Sequence, residues 1–175
     1  MPIVPETKSW TWVLERPCPE CGFDAASFAA TDVAGMLRAT AARWPAVLAR
    51  PEVRVRPDDA TWSPLEYGAH VRDVMRICRY RLTLMRTEDD PAFPNWDQDE
   101  TAVAERYDLQ DPATVAAEIA EAAAALAADL DEVASAGETV WSRPGRRSDG
   151  AAFTVESFAK YFIHDVVHHL WDVRG

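Results

Sequence analysis

The chain has 175 residues and a formal charge of -11, because it contains 18 basic and 29 acidic side chains. Hydrophobic residues make up 48% and charged residues 27%, a composition typical of one folded globular domain and not of a disordered chain. The acidic charge disfavours nucleic acid and anionic lipid as partners, and the sequence shows no signal peptide and no membrane-spanning segment. We therefore expect a cytoplasmic protein with a single domain over residues 1–175.

Residues 1–23 lack helical periodicity and predict an extended N-terminal arm ahead of a helical body over residues 24–175. Trp10 and Trp12 suggest that the arm packs onto the body. The arm also carries the pair Cys18 and Cys21, but a zinc ribbon would need a second cysteine pair that the chain lacks. The pair is interpreted as reduced, partly exposed thiols; a redox pair and a metal contribution across a dimer are the alternatives.

Apolar periodicity predicts four helices in the body. The first is capped by Thr31, kinked at Pro45 and ended by Pro51. The second runs from Pro64 to about Thr87 behind the Ser63–Glu66 capping box. The third runs from Pro112 to just before Gly137, and the fourth runs from a Thr154 cap nearly to Gly175. Residues 88–110 are predicted to be a long surface connection without regular elements, and residues 139–142 a short β-prone segment. Residues 143–150 form a basic loop, which is either solvated or able to hold a carboxylate-bearing substrate.

Three of the four histidines lie close together in the last predicted helix, at positions 164, 168 and 169. Residues four apart share a helix face, so His164 and His168 can offer two imidazoles to one ion, whereas His169 projects about 100° further round. His70, in the second helix, can meet this pair across a bundle. A plain amphipathic face explains the same spacing, so from the residues alone both interpretations stay open.

Two segments resemble signatures of the DinB/YfiT-like superfamily. Residues 62–74, Trp-Ser-Pro-Leu-Glu-Tyr-Gly-Ala-His-Val-Arg-Asp-Val, are similar to its second helix, and residues 164–173, His-Asp-Val-Val-His-His-Leu-Trp-Asp-Val, are similar to its closing H-x-x-x-H helix. The resemblance covers residues 31–173 and implies an all-α four-helix bundle of up-down-down-up topology. It further implies a divalent metal, zinc or nickel or else iron, bound by His70, His164 and His168, and a homodimer as one expected partner.

The same resemblance implies an activity. Transfer of a low-molecular-weight thiol, mycothiol- or bacillithiol-like, to an electrophilic substrate is the leading hypothesis; a metal-dependent hydrolase and a noncatalytic metal-binding stress-response module are the alternatives. Glu66 and Asp165 are the predicted acid–base residues, and Tyr161, three residues before His164, is predicted to donate a hydrogen bond at the site. Glu66, Asp73, Asp165 and Asp172 are candidates for carboxylates that orient the ligands; the alternative is that these acids are solvated charges on the helix faces. A maleylpyruvate isomerase branch is set aside because it replaces one histidine ligand by glutamate and carries a further C-terminal domain.

Overall fold

The computed structural model describes residues 10–175. Its α-helices are α1 (Val33–Ala41), α2 (Trp44–Leu48), α3 (Pro64–Thr87), α4 (Gln98–Ala104), α5 (Pro112–Ala136), α6 (Glu138–Trp141) and α7 (Val155–Asp172). Short 3-10 helices lie at Thr11–Leu14, Ala30–Asp32 and Tyr107–Leu109, and strands β1 (Pro144–Arg146) and β2 (Ala152–Thr154) form an antiparallel hairpin. No helix within residues 10–175 combines the length and the apolar character needed to cross a lipid bilayer.

Helices α3 and α5 lie side by side and run in the same direction. Arg72 near the start of α3 pairs with Glu118 at 2.7 Å, and Arg86 near its end pairs with Glu132 at 2.8 Å, so both helices advance together. Parallel neighbours need a connection that returns along the bundle, which is the role of residues 88–111. The predicted long crossover therefore lies between the second and third bundle helices.

Helices α1 and α7 form a second parallel pair. Lys160, early in α7, donates to the carbonyl of Ala25 just ahead of α1, and Arg50, after α2, donates to the carbonyl of Val173 just beyond α7. Helix α1 packs against both α5 and α7, and α3 packs against the same two helices. The four bundle helices therefore enclose one apolar core.

The hairpin precedes α7 in the chain and packs against the C-terminal end of α3. Arg143, which precedes α7, donates to the carbonyl of Met85 at 2.6 Å, so α3 and α7 run in opposite directions. Gly145 is required at this contact, because a Cβ there would lie 2.7 Å from Phe93 and 2.8 Å from Met85. Together these orientations confirm the predicted four-helix bundle with up-down-down-up order.

The predicted helix starts after residue 60 match the structure. The Ser63 hydroxyl accepts from the amide of Glu66, while the Glu66 carboxylate accepts from the amide of Ser63, which completes the capping box. The side chains of Asp111 and Thr154 likewise cap α5 and α7 by accepting backbone amides. Local capping chemistry therefore fixes where three of the four bundle helices begin.

Three predictions about local structure were wrong. Residues 88–110 contain α4 and a 3-10 turn, because Tyr107 is fully buried and donates a hydrogen bond to Asp73, which anchors the crossover to α3. Residues 139–142 lie largely in the helical turn α6, since Gly137, with φ of 95°, ends α5 and lets the chain turn back onto the core. Thr31 lies inside a 3-10 turn and does not cap the first helix.

Candidate metal centre

Helix α7 carries two i, i+4 pairs of metal-ligand type on adjoining faces. His164 and His168 form one pair, and Asp165 and His169 form the other, each member displaced by one residue from its counterpart. One residue corresponds to a rotation of about 100° around a helix. The two pairs consequently face different neighbours, and each joins a different group of ligand atoms.

The inner group consists of His70, Asp165 and His169, whose ligand atoms all lie within 4.8 Å of one another. The Nε2 atom of His70 is 4.0 Å from Oδ1 of Asp165, and Nε2 of His169 is 2.9 Å from the same oxygen. Antiparallel packing of α3 and α7 brings the three together. Two imidazoles and one carboxylate are donors that zinc, iron and nickel accept, and three protein ligands leave coordination positions open.

His70 provides the test of whether a cation fits this group. Its side chain is 0% exposed, and neither ring nitrogen has a hydrogen-bond partner. Burial, and after it the nearby charge of His169, lower the pKa of His70 to about 4, so the imidazole is neutral near pH 7. An orphaned, neutral imidazole in the protein interior is costly as a plain core residue and well suited to ligate a cation.

The Asp165 and His169 side chains form an ion pair, and a cation bound by both would displace the His169 proton. Desolvation lowers the pKa of His169, but the carboxylates of Asp165 and Asp172 outweigh it and raise the pKa to about 9. Desolvation raises the pKa of Asp165, yet the His169 charge and hydrogen bond hold it well below its usual range. The Nδ1 atom of His169 lies 2.8 Å from Oδ2 of Asp172, which orients the ring with Nε2 towards Asp165.

Aromatic rings enclose the inner group. Trp96, from the crossover, stacks on His70 with ring centroids 5.6 Å apart and an angle of 7° between the planes, and Trp62 packs on the same ring at 5.1 Å. The Tyr67 ring lies 5.0 Å from that of His169. The crossover therefore limits access of water to His70.

The arm group consists of Cys18, Cys21, His164 and His168, whose ligand atoms also lie within 4.8 Å of one another. The Sγ atom of Cys18 is 3.7 Å from Nδ1 of His168. Both cysteines are free thiols. Trp10 packs on the rings of both histidines, at 5.4 and 5.3 Å, as expected for an arm that lies against the body.

A family model matches residues 36–173 and describes the DinB superfamily. The chain belongs to the DinB superfamily. Among solved structures, this DinB-superfamily chain is similar to YfiT from Bacillus subtilis, which is described as a probable metal-dependent hydrolase with an unusual four-helix bundle topology. The two share 16% sequence identity with a TM-score of 0.64 over 98% of this chain and 91% of YfiT, which establishes the shared fold. No curated protein matches the chain.

The structure divides the predicted three-histidine set of this DinB-superfamily chain. His70 lies in the inner group, whereas His164 and His168 lie in the arm group; the three-histidine ligand set stays a prediction. Sequence reasoning set His169 aside because it projects about 100° away from His164 and His168, and it considered Asp165 only as an acid–base or orienting residue, not as a ligand. The same spacing between Asp165 and His169 was the available signal. Asp165 also places a carboxylate in the inner group. The lack of a carboxylate ligand was one of the two reasons for setting the isomerase branch aside, and that reason no longer applies.

The structure shows other contacts for two of the predicted catalytic residues. The Glu66 carboxylate is buried and accepts hydrogen bonds from Ser63 and from the Arg56 guanidinium. The Tyr161 hydroxyl accepts from Arg147 at 2.8 Å, and burial raises its pKa to about 12. The third, Asp165, is part of the inner group.

Proposed function

We propose that this chain is a divalent-metal-dependent enzyme with its reaction centre at the inner group, and that it transfers a low-molecular-weight thiol to an electrophile. The carrying observation is His70, fully buried with two unpartnered ring nitrogens and 4.0 Å from a carboxylate oxygen. Membership of the DinB superfamily and the name of the YfiT neighbour support metal dependence. The metal is zinc, nickel or iron on the basis of the donor set.

A divalent cation held there would act as a Lewis acid and lower the pKa of a thiol or a water molecule that reaches an open position. The chain's own residues prepare the place. His70 offers a neutral nitrogen because burial disfavours its protonation, and Asp165 offers a carboxylate that stays ionised. Trp62 and Trp96 cover His70 and exclude water from one side.

The basic loop supplies a way to orient an acidic substrate. Arg147 donates to the Tyr161 hydroxyl and pairs with Asp149. Tyr161 lies four residues before Asp165 on α7, so the two share a helix face. A carboxylate on the thiol or on the electrophile would compete with Asp149 for the Arg147 guanidinium. Arg143 and Arg146 are bound instead to acids and carbonyls at the end of α3.

The experiment compares the wild type with Asp165→Asn and with Glu156→Gln, an exposed carboxylate on the same helix, as the control. Each protein is loaded with zinc, nickel or iron(II) and assayed for consumption of small thiols in the presence of an electrophile panel. We expect turnover in the wild type and in the control. Asp165→Asn should lose both the turnover and one equivalent of bound metal. Metal-loaded wild type without any thiol consumption would contradict thiol transfer.

A hydrolase is the second candidate, favoured by the description of YfiT as a probable metal-dependent hydrolase. The same inner group would then activate water. Ester and amide substrates, tested on the same three proteins without thiol, separate the two reactions. Hydrolysis that is lost in Asp165→Asn and unaffected by added thiol would replace the transferase proposal.

A further inference from the structure

We propose that Cys18, Cys21, His164 and His168 bind a structural zinc ion that fastens the N-terminal arm to the last helix of the bundle. This second site is separate from the inner group and shares no ligand with it. It does not depend on the proposed reaction.

The two cysteines lie in a tight turn that presents both thiols together. The amide of Gly22 donates to the carbonyl of Cys18 at 3.0 Å, and the amide of Cys18 donates to the carbonyl of Phe23 at 2.8 Å. Gly22 adopts φ of 73°, which a residue with a Cβ rarely adopts, and this lets the chain reverse directly after Cys21. A reversed Cys-x-x-Cys turn is the usual local form of a zinc-binding cysteine pair.

The two histidines complete the set from one face of α7. His164 is buried, and its Nε2 atom has no hydrogen-bond partner. His168 places Nδ1 at 3.7 Å from the sulfur of Cys18, while its Nε2 lies 3.4 Å from a carboxylate oxygen of Glu20 and 3.7 Å from one of Asp172. Those carboxylates can act as the outer acceptors that zinc-bound imidazoles usually have.

The donor set and its enclosure favour zinc in a structural role. Two sulfurs and two imidazole nitrogens form a complete tetrahedral set, which leaves no position for a substrate. Zinc–sulfur and zinc–nitrogen bond lengths imply ligand separations of about 3.3 to 3.8 Å in a tetrahedron, compatible with the 4.8 Å limit and the 3.7 Å contact seen here. The Trp10 and Phe23 rings pack on His164 at 5.4 and 5.1 Å and shield the group.

A disulfide between Cys18 and Cys21 is the competing interpretation. It would explain the cysteine pair but not the buried, unpartnered Nε2 of His164, whose ring also places a nitrogen within 4.8 Å of both sulfurs. Zinc binding requires that each thiol lose its proton to the solvent, so loading should release up to two protons per ion.

The decisive experiment compares the wild-type chain, reduced and loaded with cobalt(II) in place of zinc, with two cysteine variants. We expect a thiolate-to-cobalt charge-transfer absorption and two metal equivalents per chain, one of them at the inner group. The double variant Cys18→Ser/Cys21→Ser should lose the absorption and one equivalent. Cys78→Ala, which removes the third thiol from the core outside both groups, should keep both.

A second variant keeps the two sites distinguishable. Asp165→Asn should lose one metal equivalent yet retain the charge-transfer absorption, even if no reaction is ever found. Zinc removal by a chelator should lower the midpoint of thermal unfolding of Asp165→Asn and have no effect on the triple variant Cys18→Ser/Cys21→Ser/Asp165→Asn, which lacks ligands of both sites. Absence of the absorption in reduced wild type, or its persistence in the double cysteine variant, would overturn the proposal, as would a Cys18–Cys21 disulfide in protein with full metal content.

Discussion

Replacement of Glu66 by glutamine separates a structural role of this carboxylate from a catalytic one. The carboxylate accepts from the amide of Ser63 at 2.9 Å, from the hydroxyl of Ser63 at 2.7 Å and from Nε of Arg56 at 2.9 Å. Glu66→Gln preserves the size of the side chain and one carbonyl acceptor for the cap. It removes the negative charge that faces the guanidinium of Arg56.

The expected loss of stability follows from the contact between Glu66 and Arg56. A hydrogen bond to a charged group contributes about 1.5 to 3 kcal/mol to stability. The side chain of Arg56 is 24% exposed, whereas that of Glu66 is 4% exposed, so solvent screens the pair only in part. We expect Glu66→Gln to lower the free energy of unfolding by about 2 kcal/mol, which with a slope of about 2 kcal/mol per molar urea shifts the midpoint down by about 1 M.

The contribution of Glu66 should also depend on pH. Desolvation raises the pKa of Glu66, but the bonds from Arg56 and Ser63 outweigh it, and the pKa in the folded protein lies below its usual value. A group whose pKa is lower in the folded state stabilises the fold above its unfolded pKa, and this is lost as the pH falls through the folded pKa. The difference between wild type and Glu66→Gln should therefore shrink in acid.

Urea unfolding of the wild type, Glu66→Gln, Arg56→Met and the double variant measures the pair directly. The two substitutions should be less than additive, because each removes the same contact. Glu121→Gln, which neutralises an exposed carboxylate in the middle of α5, is the control and should leave the midpoint unchanged. An unchanged midpoint in Glu66→Gln would refute the reasoning, and loss of turnover at wild-type stability and metal content would assign Glu66 to the chemistry instead.

Three further substitutions test other parts of the structure. Asp172→Asn should weaken metal binding about 10- to 100-fold, measured by competition with a chelator, because its two oxygens face histidines of both groups. Arg72→Met should lower the free energy of unfolding in urea by about 1.5 to 3 kcal/mol, since it removes the guanidinium that bonds both Asp73 and Glu118, while Arg76 and Tyr107 still contact Asp73; an unchanged midpoint would contradict this. Gly145→Ala should lower the midpoint of thermal unfolding by forcing a methyl group against Met85 and Phe93, at a cost of about 1 to 3 kcal/mol.

The sequence by itself determined the features that depend on neighbouring residues. The caps at Ser63, Asp111 and Thr154 can be predicted locally, because each supplies a side-chain acceptor to the amide three positions ahead. Helical periodicity then gave the number of bundle helices, and two signature segments gave the family. A role of the last helix in metal binding could also be predicted, since residues of metal-ligand type recur there at i, i+4 spacing.

Only the tertiary structure decided which ligands meet. The rotation of α7 about its axis is set by packing of its apolar side chains, and a rotation of about 100° exchanges one ligand pair for the other. This rotation turns His169, and not His168, towards His70. Cys18 and His168 are separated by 150 positions, so no local pattern could join them. The sequence shows only the cysteine half of the proposed zinc site. Folding of the arm onto α7 brings His164 and His168 to the two cysteines and completes the set of ligands.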